Sequence, residues 1–217
     1  MKTILSTKKL SLPQRERLLN GGLAVVDVDF ISTEIIAFQK PKQPIVNAIF
    51  TSQNGVNSVF KEHIEIENCY CVGSRTEKLL QQKKQNVLFC GSNAEELGKH
   101  IIQENSNRSY HYFCAQERLE TLPNMLNEHQ IKWSEIPVYK TLKTPKKYEQ
   151  EFNGVLFFSP SGVESYLGVN STPIHSFCIG NTTAKTLHKY TQNYTVANKP
   201  SIENVLVKVI KHFKNHD

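Results

Sequence analysis

Short apolar runs alternate along the chain with longer segments whose apolar residues recur at helical spacing. Near the N-terminus, a strand-like run within Met1–Leu10 precedes a helix-like segment, Leu12–Asn20, and a second strand-like run, Leu23–Phe30. Later runs such as Gln85–Cys90 and Val155–Phe158 are followed by Ser, Gly or Asn residues that cap or start a helix. Strands that alternate with helices predict an α/β protein whose parallel sheet is covered on both faces.

The pattern is repeated in the two halves of the chain. Three pairs of segments correspond: Phe50–Phe60 with Phe157–Leu167, Cys71–Leu80 with Cys178–Leu187, and Asn86–Ile102 with Tyr194–Ile210. The same number of residues separates Gly55 from Gly162 and Gly73 from Gly180. Chance similarity would not keep one register over successive blocks, so we predict two similar, doubly wound lobes.

The two lobes are predicted to be interleaved along the chain. The second repeat has only three strand–helix blocks, so its sheet needs further strands, which the N-terminal segment can supply. We therefore expect flavodoxin-like lobes with parallel sheets, lobe 1 from residues 1–30 plus 142–217, and lobe 2, residues 35–136, inserted in it. Two β-rich segments, about 27–36 and 131–141, lack the Gly and Ser of a flexible tether and predict a two-stranded β connector.

Composition and charge restrict the class of function. The chain has 217 residues and a formal net charge of +6, so its partner is expected to be acidic. No RNA-binding signature or helix-turn-helix pattern is present. No apolar stretch reaches the roughly 20 residues that span a bilayer, and no secretory signal precedes the first run. By charge alone, nucleic acid, an anionic membrane and a polycarboxylate all qualify as the acidic partner. We expect a cytoplasmic protein with no nucleic acid and no membrane partner.

The cysteines and histidines do not predict a metal site. The number of cysteines is odd and most of them lie in apolar runs, which is typical of reduced, buried thiols. Cys69 and Cys71 form a C-x-C pair, but no second pair follows at zinc-finger spacing. The histidines are scattered along the chain.

The repeated blocks resemble the uroporphyrinogen-III synthase family. The segments that carry the resemblance are FTSQNGVNSVF (50–60), VGSRTEKLL (72–80), CAQERLETLPNMLNEHQIKWSEIPVYKT (114–141), VLFFSPSGVESYL (155–167), IGNTTAKTL (179–187) and VANKPSIENVLVKVI (196–210). They cover most of the chain, and their order and spacing are more specific than any single motif. The family has two α/β lobes joined by a two-stranded connector. This sequence departs from it where Lys8 and Lys9 replace a common Arg-Pro.

The resemblance implies a lyase that dehydrates hydroxymethylbilane, a linear tetrapyrrole polycarboxylate, and cyclises it with inversion of ring D to uroporphyrinogen III in heme biosynthesis. It implies no cofactor, a monomer, and a transient hand-off of substrate from hydroxymethylbilane synthase. Because the bilane also cyclises unaided to the uninverted isomer, the protein would have to select the conformation that leads to inversion.

Polar residues at the strand-to-helix turns are the candidate substrate-binding residues, because N–H groups at helix starts and hydroxyls both bind carboxylates. These residues are Thr51, Ser52, Gln53, Asn54, Ser74, Thr76, Ser159, Ser161, Gly162, Asn181, Thr182 and Thr183. Such turns meet at one edge of a doubly wound sheet, so we expect the bilane to lie between the lobes. An alternative is that these residues are ordinary helix caps. Gly73 and Gly180 are expected to let a turn pass close to a neighbouring backbone.

Tyr139 is the candidate catalytic residue. It lies in the segment PVYKT, where the resemblance places a family tyrosine proposed to assist departure of the hydroxyl. A phenol can donate a proton or hydrogen bond to that leaving group. The alternative is a packing tyrosine whose hydroxyl faces water.

Two other classes of protein fit parts of the same sequence. A non-catalytic bilobal binding protein for an acidic small molecule has the same fold and charge. A tandem receiver-like regulator needs acidic residues at its strand ends, whereas the strand ends here are Thr, Ser, Asn and Gly.

Overall fold

A computed structural model describes residues 1–42, 44–104 and 107–214. Its helices and strands are, in chain order, β1 (Lys2–Ser6), α1 (Leu12–Asn20), β2 (Leu23–Asp27), β3 (Ile31–Ile35), β4 (Ile45–Phe50), α2 (Gln53–Val59), β5 (Ile66–Val72), α3 (Ser74–Gln82), β6 (Val87–Gly91), α4 (Ala94–Glu104), β7 (Ser109–Ala115), α5 (Thr121–Glu128), β8 (Lys132–Lys143), β9 (Gly154–Phe157), α6 (Pro160–Leu167), β10 (Ser176–Cys178), α7 (Asn181–Leu187), β11 (Tyr194–Val196) and α8 (Ile202–Lys214). No helix in these ranges combines the length and the apolar character that crossing a membrane requires.

The chain forms two compact units. Unit 1 comprises Met1–Ser32 and the chain from Leu142 onward, and unit 2 comprises Thr33–Thr141. The sheet of unit 1 has the order β11-β10-β9-β1-β2, and that of unit 2 has the order β3-β8-β7-β4-β5-β6. Within unit 1 every neighbouring pair is parallel, and in unit 2 the strands from β8 to β6 are parallel. The predicted fold class, two α/β units with parallel sheets and one unit inserted in the other, is confirmed.

The two units have equivalent topology. Strands β9, β10 and β11 with their helices correspond in order to β4, β5 and β6, and β1–α1–β2 corresponds to β7–α5–β8. Counted from the first strand of each repeat, the five corresponding strands of both sheets have the order 3-2-1-4-5, and β3 is an additional strand at the end of the unit 2 sheet. The flavodoxin order is 2-1-3-4-5, so the units are doubly wound as expected but differ from flavodoxin in strand order. The reason is that the first strand of each repeat is central and the next two extend the sheet to one side.

The segments predicted as connectors are strands of the unit 2 sheet. Strands β3 and β8 are hydrogen-bonded neighbours at one end of that sheet. The N–H of Ile36 also donates to the carbonyl of Val138 at 3.2 Å. On its other side β8 pairs with β7, from Ser109 opposite Lys132 to Ala115 opposite Tyr139. This pairing holds Tyr139 at the carboxyl end of β7.

Local capping explains where two of the helices begin. Before α1, the side chain of Gln14 accepts a hydrogen bond from the N–H of Ser11 at 3.0 Å, and Pro13 lies in the first turn. Before α4, Asn93 Oδ1 accepts from the N–H of Glu96 at 2.9 Å, so Asn93 is the cap of this helix.

Both faces of each sheet are buried, as the apolar strands predict. In unit 2, Phe50 of β4 shares a buried cluster with Val56 of α2. The neighbouring Ile49 lies in the cluster on the opposite face, together with Leu97 and Ile101 of α4. Unit 1 likewise has one apolar cluster on each face of its sheet.

The cysteines are free thiols, and four of them are buried: Cys69, Cys71, Cys114 and Cys178. Burial raises the pKa of the Cys69, Cys114 and Cys178 thiols to about 12. These thiols therefore stay protonated at neutral pH, as expected for structural cysteines.

Candidate functional site

The central strands of each sheet define an edge suited to ligand binding. In unit 2 the chain leaves β4 toward β5 and leaves β7 in the opposite direction, toward β8. In unit 1 the equivalent pair is β9 and β1. In doubly wound sheets, ligands bind outside the carboxyl ends of two such strands. The residues that follow β4, β7, β9 and β1 are therefore the candidate site of each unit.

In unit 2, Ser52 links the start of a helix to a tyrosine. Ser52 caps α2, where its Oγ accepts a hydrogen bond from the N–H of Gly55 at 3.2 Å. The same Oγ lies 2.8 Å from the hydroxyl oxygen of Tyr139 on β8. Tyr139 is 8% exposed. Burial raises its pKa, and the hydrogen bond with Ser52 opposes that rise, so the phenol is protonated at neutral pH.

A second tyrosine bonds to the preceding residue of the same turn. The Thr51 hydroxyl lies 2.9 Å from the hydroxyl of Tyr112 on β7. Tyr112 is 4% exposed, and burial is the main cause that raises its pKa to about 12. Thr51 and Ser52 thus join the turn after β4 to β7 and β8, the two strands on one side of β4.

The remaining predicted residues of unit 2 differ in exposure. Gln53 and Asn54 are exposed; Gln53 Nε2 donates to the carbonyl of Arg75 at 3.3 Å, which brings this turn beside the start of α3. Ser74 is exposed at the start of α3, whereas Thr76 is buried. The structure therefore brings Thr51–Asn54 together with Tyr139, and places Ser74 next to them through the Gln53 contact.

Unit 1 contains the equivalent turns, but among the described residues no tyrosine hydroxyl bonds to its capping serine. Ser159 caps α6 by accepting from the N–H of Gly162 at 3.0 Å, and Gly162 is buried. Ser161 is half-buried in the first turn of the same helix. At the start of α7, two of the predicted residues, Asn181 and Thr182, are exposed and Thr183 is 2% exposed.

The expected reason for two of the repeated glycines is wrong. A Cβ added at Gly73 or at Gly180 would meet no atom within 4 Å, so neither position needs glycine to make room for a neighbouring backbone. Gly73 instead has a φ of 85°, a conformation that glycine adopts readily. Among the repeated glycines, Gly55 at the third position of α2 packs closely, since a Cβ there would lie 3.0 Å from the carbonyl oxygen of Phe113.

Comparison with known proteins identifies the family. Residues 24–206 match the family model described as Uroporphyrinogen-III synthase HemD. The chain belongs to the uroporphyrinogen-III synthase family. The resemblance carried by the repeated blocks is thereby confirmed.

Individual members of this family are distant relatives. A porphyrin biosynthesis protein HemD from Ruminiclostridium josui is 30% identical over 104 residues, which are 42% of this chain and 21% of that protein. The match thus spans about a fifth of that relative's length.

Solved structures of uroporphyrinogen-III synthases share the fold. The uroporphyrinogen-III synthetase of Helicobacter pylori has a TM-score of 0.77 at 21% identity, covering 98% of this chain and 100% of that one. A mutant uroporphyrinogen III synthase from Thermus thermophilus has a TM-score of 0.65 at 12% identity, with both chains fully covered. At these identities the likeness establishes the fold.

The sequence prediction missed several polar residues at these edges. Thr7 follows β1 and donates through its hydroxyl to the carbonyl of Leu156 at 2.7 Å. The exposed Lys8 and Lys9 come next, at the carboxyl end of a central strand of unit 1. In unit 2, Arg118 follows β7 and is held by ion pairs with two carboxylates. A search for basic residues just after the central strands would have found all of these cations, but the central strands were unknown from the sequence.

A cavity of about 710 Å³ lies beside β8 in unit 2. Residues 36–42 form one wall, and His111, Gln116 and residues 134–137 form the rest. None of the predicted site residues lines it. Within the described ranges, no group of three or more His, Cys, Asp or Glu side chains is placed to hold a metal ion.

Proposed function

We propose that this protein is a uroporphyrinogen-III synthase, which dehydrates hydroxymethylbilane and cyclises it with inversion of ring D. The observation that carries the proposal is the family match over residues 24–206. A protonated tyrosine at the ligand-binding edge of unit 2 agrees with it. The substrate would arrive from hydroxymethylbilane synthase, and the protein would act as a monomer.

Tyr139 is proposed as the proton donor to the leaving group. In the first step the carbon–oxygen bond of the terminal hydroxymethyl group breaks, and its electron pair leaves with the oxygen. Transfer of the Tyr139 phenol proton to that oxygen lets it depart as water, and the tyrosine regains a proton when the cyclised product loses one. The electron-rich pyrrole stabilises the cationic carbon that remains, which is then attacked within the bilane through a spiro intermediate on the way to the inverted ring.

The carboxylates of the bilane are proposed to bind the strand-to-helix turns of both units. The exposed residues Gln53, Asn54, Ser74, Asn181 and Thr182 are the nearest to solvent, and they carry amides, hydroxyls and first-turn N–H groups. The remaining candidates lie beneath these exposed residues and support the turns. The Oγ atoms of Ser52 and Ser159 accept from backbone N–H groups, and Thr76 and Thr183 are buried.

The deciding experiment is ring closure itself. Hydroxymethylbilane generated enzymatically is mixed with the protein, and the products are oxidised to porphyrins and separated by isomer. We expect the type III isomer. Type I isomer alone, formed at the rate seen in buffer, would reject the proposal, and tight binding of the bilane without type III product would favour the non-catalytic binding protein.

The proposed reaction needs no metal or organic cofactor, because the bond changes require only proton transfer and correct positioning. Prolonged treatment with a chelator should leave the rate of type III formation unchanged. A stoichiometric metal in the purified protein, whose removal abolishes ring closure and whose return restores it, would contradict this expectation.

A further inference from the structure

We propose that Ser52 is a positioning residue that directs the Tyr139 hydroxyl toward the substrate, rather than a residue that binds the substrate itself. This inference rests on the proposed function, because it assigns Ser52 a role in the step in which Tyr139 donates.

The hydrogen bonds around Ser52 leave its proton free to be donated to Tyr139. A serine hydroxyl has one proton to donate and two lone pairs to accept with. One lone pair of Ser52 is occupied by the N–H of Gly55, at 3.2 Å. The Tyr139 oxygen lies 2.8 Å away on the same Oγ. When Ser52 donates its proton to that oxygen, the proton of Tyr139 points away from Ser52 and is available to a leaving group.

The position of Ser52 is constrained by more than its side chain. Its backbone is extended, with φ −154° and ψ 153°, and its carbonyl accepts from the N–H of Val56 at 3.4 Å. The donor is therefore held at the start of α2 while Tyr139 is held on β8. A donor fixed in this way stabilises negative charge that develops on the tyrosine oxygen as its proton moves toward the substrate.

The internal repeat separates this role from helix capping. Ser159, the equivalent residue of unit 1, makes the same cap to Gly162 at 3.0 Å. Within residues 1–42, 44–104 and 107–214, its hydroxyl has no other hydrogen-bond partner, and β2, the strand equivalent to β8, contains no tyrosine. Capping alone thus accounts for the serine of unit 1, whereas the serine of unit 2 makes one more bond.

A double-mutant cycle tests the inference. Ser52→Gly is the informative change, because glycine at a helix cap costs little stability while the hydroxyl is lost. We expect Ser52→Gly to lower kcat about two- to tenfold, the rate equivalent of one ordinary hydrogen bond, with KM nearly unchanged. The variant Ser52→Gly/Tyr139→Phe should be no slower than Tyr139→Phe, because Ser52 acts through the phenol. Ser52→Thr, which keeps a hydroxyl and a cap, should restore most of the rate.

Two controls make the result unambiguous. Ser159→Gly measures the effect of the cap replacement alone on the midpoint of thermal unfolding, and Ser52→Gly should lower the midpoint somewhat further, because it also removes the bond to the buried Tyr139 hydroxyl. Additive losses of kcat in the double variant, or a loss in KM alone, would show that Ser52 contacts the substrate independently and would overturn the inference. Failure of the wild-type protein to form the type III isomer would instead reject the proposed function, so the two failures are distinguishable.

Discussion

Tyr112 and Tyr139 lie on adjacent strands and both bond through their hydroxyls to the turn after β4. Tyr112 belongs to the cluster that includes Leu97 and Leu126 of α4 and α5. Tyr139 belongs to the cluster on the opposite face, with residues of α2 and α3. The two residues therefore offer a matched pair: each is a buried tyrosine with one hydroxyl partner, but only Tyr139 is proposed to reach the substrate.

Tyr139→Phe should lower turnover by about tenfold or more, in the lower range for a positioned proton donor, with a small effect on stability. Tyr112→Phe is the control, because it removes a tyrosine hydroxyl bonded to the same turn, and it should keep turnover close to that of the wild type. The measurement is the initial rate of type III isomer formation. Equal rates for Tyr139→Phe and the wild type would make Tyr139 a packing residue.

The buried thiols predict how stability depends on pH. Burial raises the pKa of Cys178 from 9.0 to about 12. Between these values the unfolded chain loses a proton that the folded protein keeps, so the contribution to stability is complete below pH 9 and is lost as pH rises through about 12.

Cys178→Ala should therefore flatten the alkaline loss of stability. Between about pH 8 and about pH 10.5, the free energy of unfolding should fall by about 2 kcal/mol less in this variant than in the wild type. Urea unfolding with a reductant present measures it. Cys90→Ala is the control, because Cys90 is half-buried and should change the slope less. Identical slopes for Cys178→Ala and the wild type would contradict the buried, protonated thiol.

At the residue scale, the sequence predicted where the polar turn residues are but not how they divide their roles. Ser52 and Tyr139 were both identified, yet they are 87 residues apart, and nothing local indicates that they bond. The burial of Thr76 and Thr183 was also hidden, because an exposed cap and a buried first-turn threonine have the same local pattern. Such distinctions depend on which strands are neighbours.

Among the structural elements, the turn between strand and helix is the unit that repeats. In α2 and α6 a serine caps the helix, and the N–H of the glycine at the third helix position donates to that serine. A Cβ at Gly162 would lie 3.2 Å from Ser159 Oγ and 3.6 Å from the hydroxyl of Thr7, just after β1. The equivalent contact of Gly55 is with β7. Gly55 thus lets α2 start close to the second central strand, whereas a side chain at Gly162 would make only ordinary contact with Thr7.

A negative charge in one of these turns should weaken substrate binding without unfolding the helix. Thr182→Asp suits the test better than a change at Thr183, because Thr182 is exposed and an acidic residue in the first turn of a helix is stabilising. The added carboxylate should repel those of the bilane and raise KM severalfold. Gln192→Asp is the matched control, since it adds the same charge at an exposed site before β11, near the opposite edge of the sheet.

Equal increases of KM in Thr182→Asp and Gln192→Asp would show that general positive charge attracts the bilane and that the turn does not. Salt titration gives a second check, because screened long-range attraction weakens with ionic strength in every variant alike.

At the element scale, helix starts could be predicted because their signals are local: a polar cap, proline in the first turn and acidic residues after it. Strand order could not be predicted, because it depends on pairings such as Ile4 with Gly154. Such pairings produce no recognisable pattern in the sequence near either residue. The repeat indicated that residues 1–30 had to complete a sheet, but the same repeat is compatible with more than one strand order.

Considered as a whole molecule, unit 1 is a circular permutant of unit 2. In unit 2 the chain passes from α4 to β7 directly, whereas in unit 1 the equivalent elements, α8 and β1, are the two ends of the described chain. The ends are close: Lys2 Nζ lies 5.3 Å from the centroid of the Phe213 ring. A short linker can therefore join them.

Each unit should fold by itself when its chain is made continuous. We expect residues 31–143 to show cooperative urea unfolding, because all strands of their sheet are present. Residues 144–217 alone should not, because β9 lacks its neighbour β1. Joining residues 142–217 through a short linker to residues 1–32 should restore cooperative unfolding. Non-cooperative behaviour of that permuted unit would show that its stability depends on the rest of the chain.

The pairing of β1 with β9 also determines when unit 1 can fold during synthesis on the ribosome. The strand partner of Ile4 is Gly154, so at about 5–20 residues per second β1 waits roughly 8–30 s for β9 to be translated. Unit 2 has all its strands once β8 is complete. The inserted unit can therefore fold first, while the N-terminal strands remain unpaired on the side of β9 and are exposed to chaperones and to aggregation until the last third of the chain emerges.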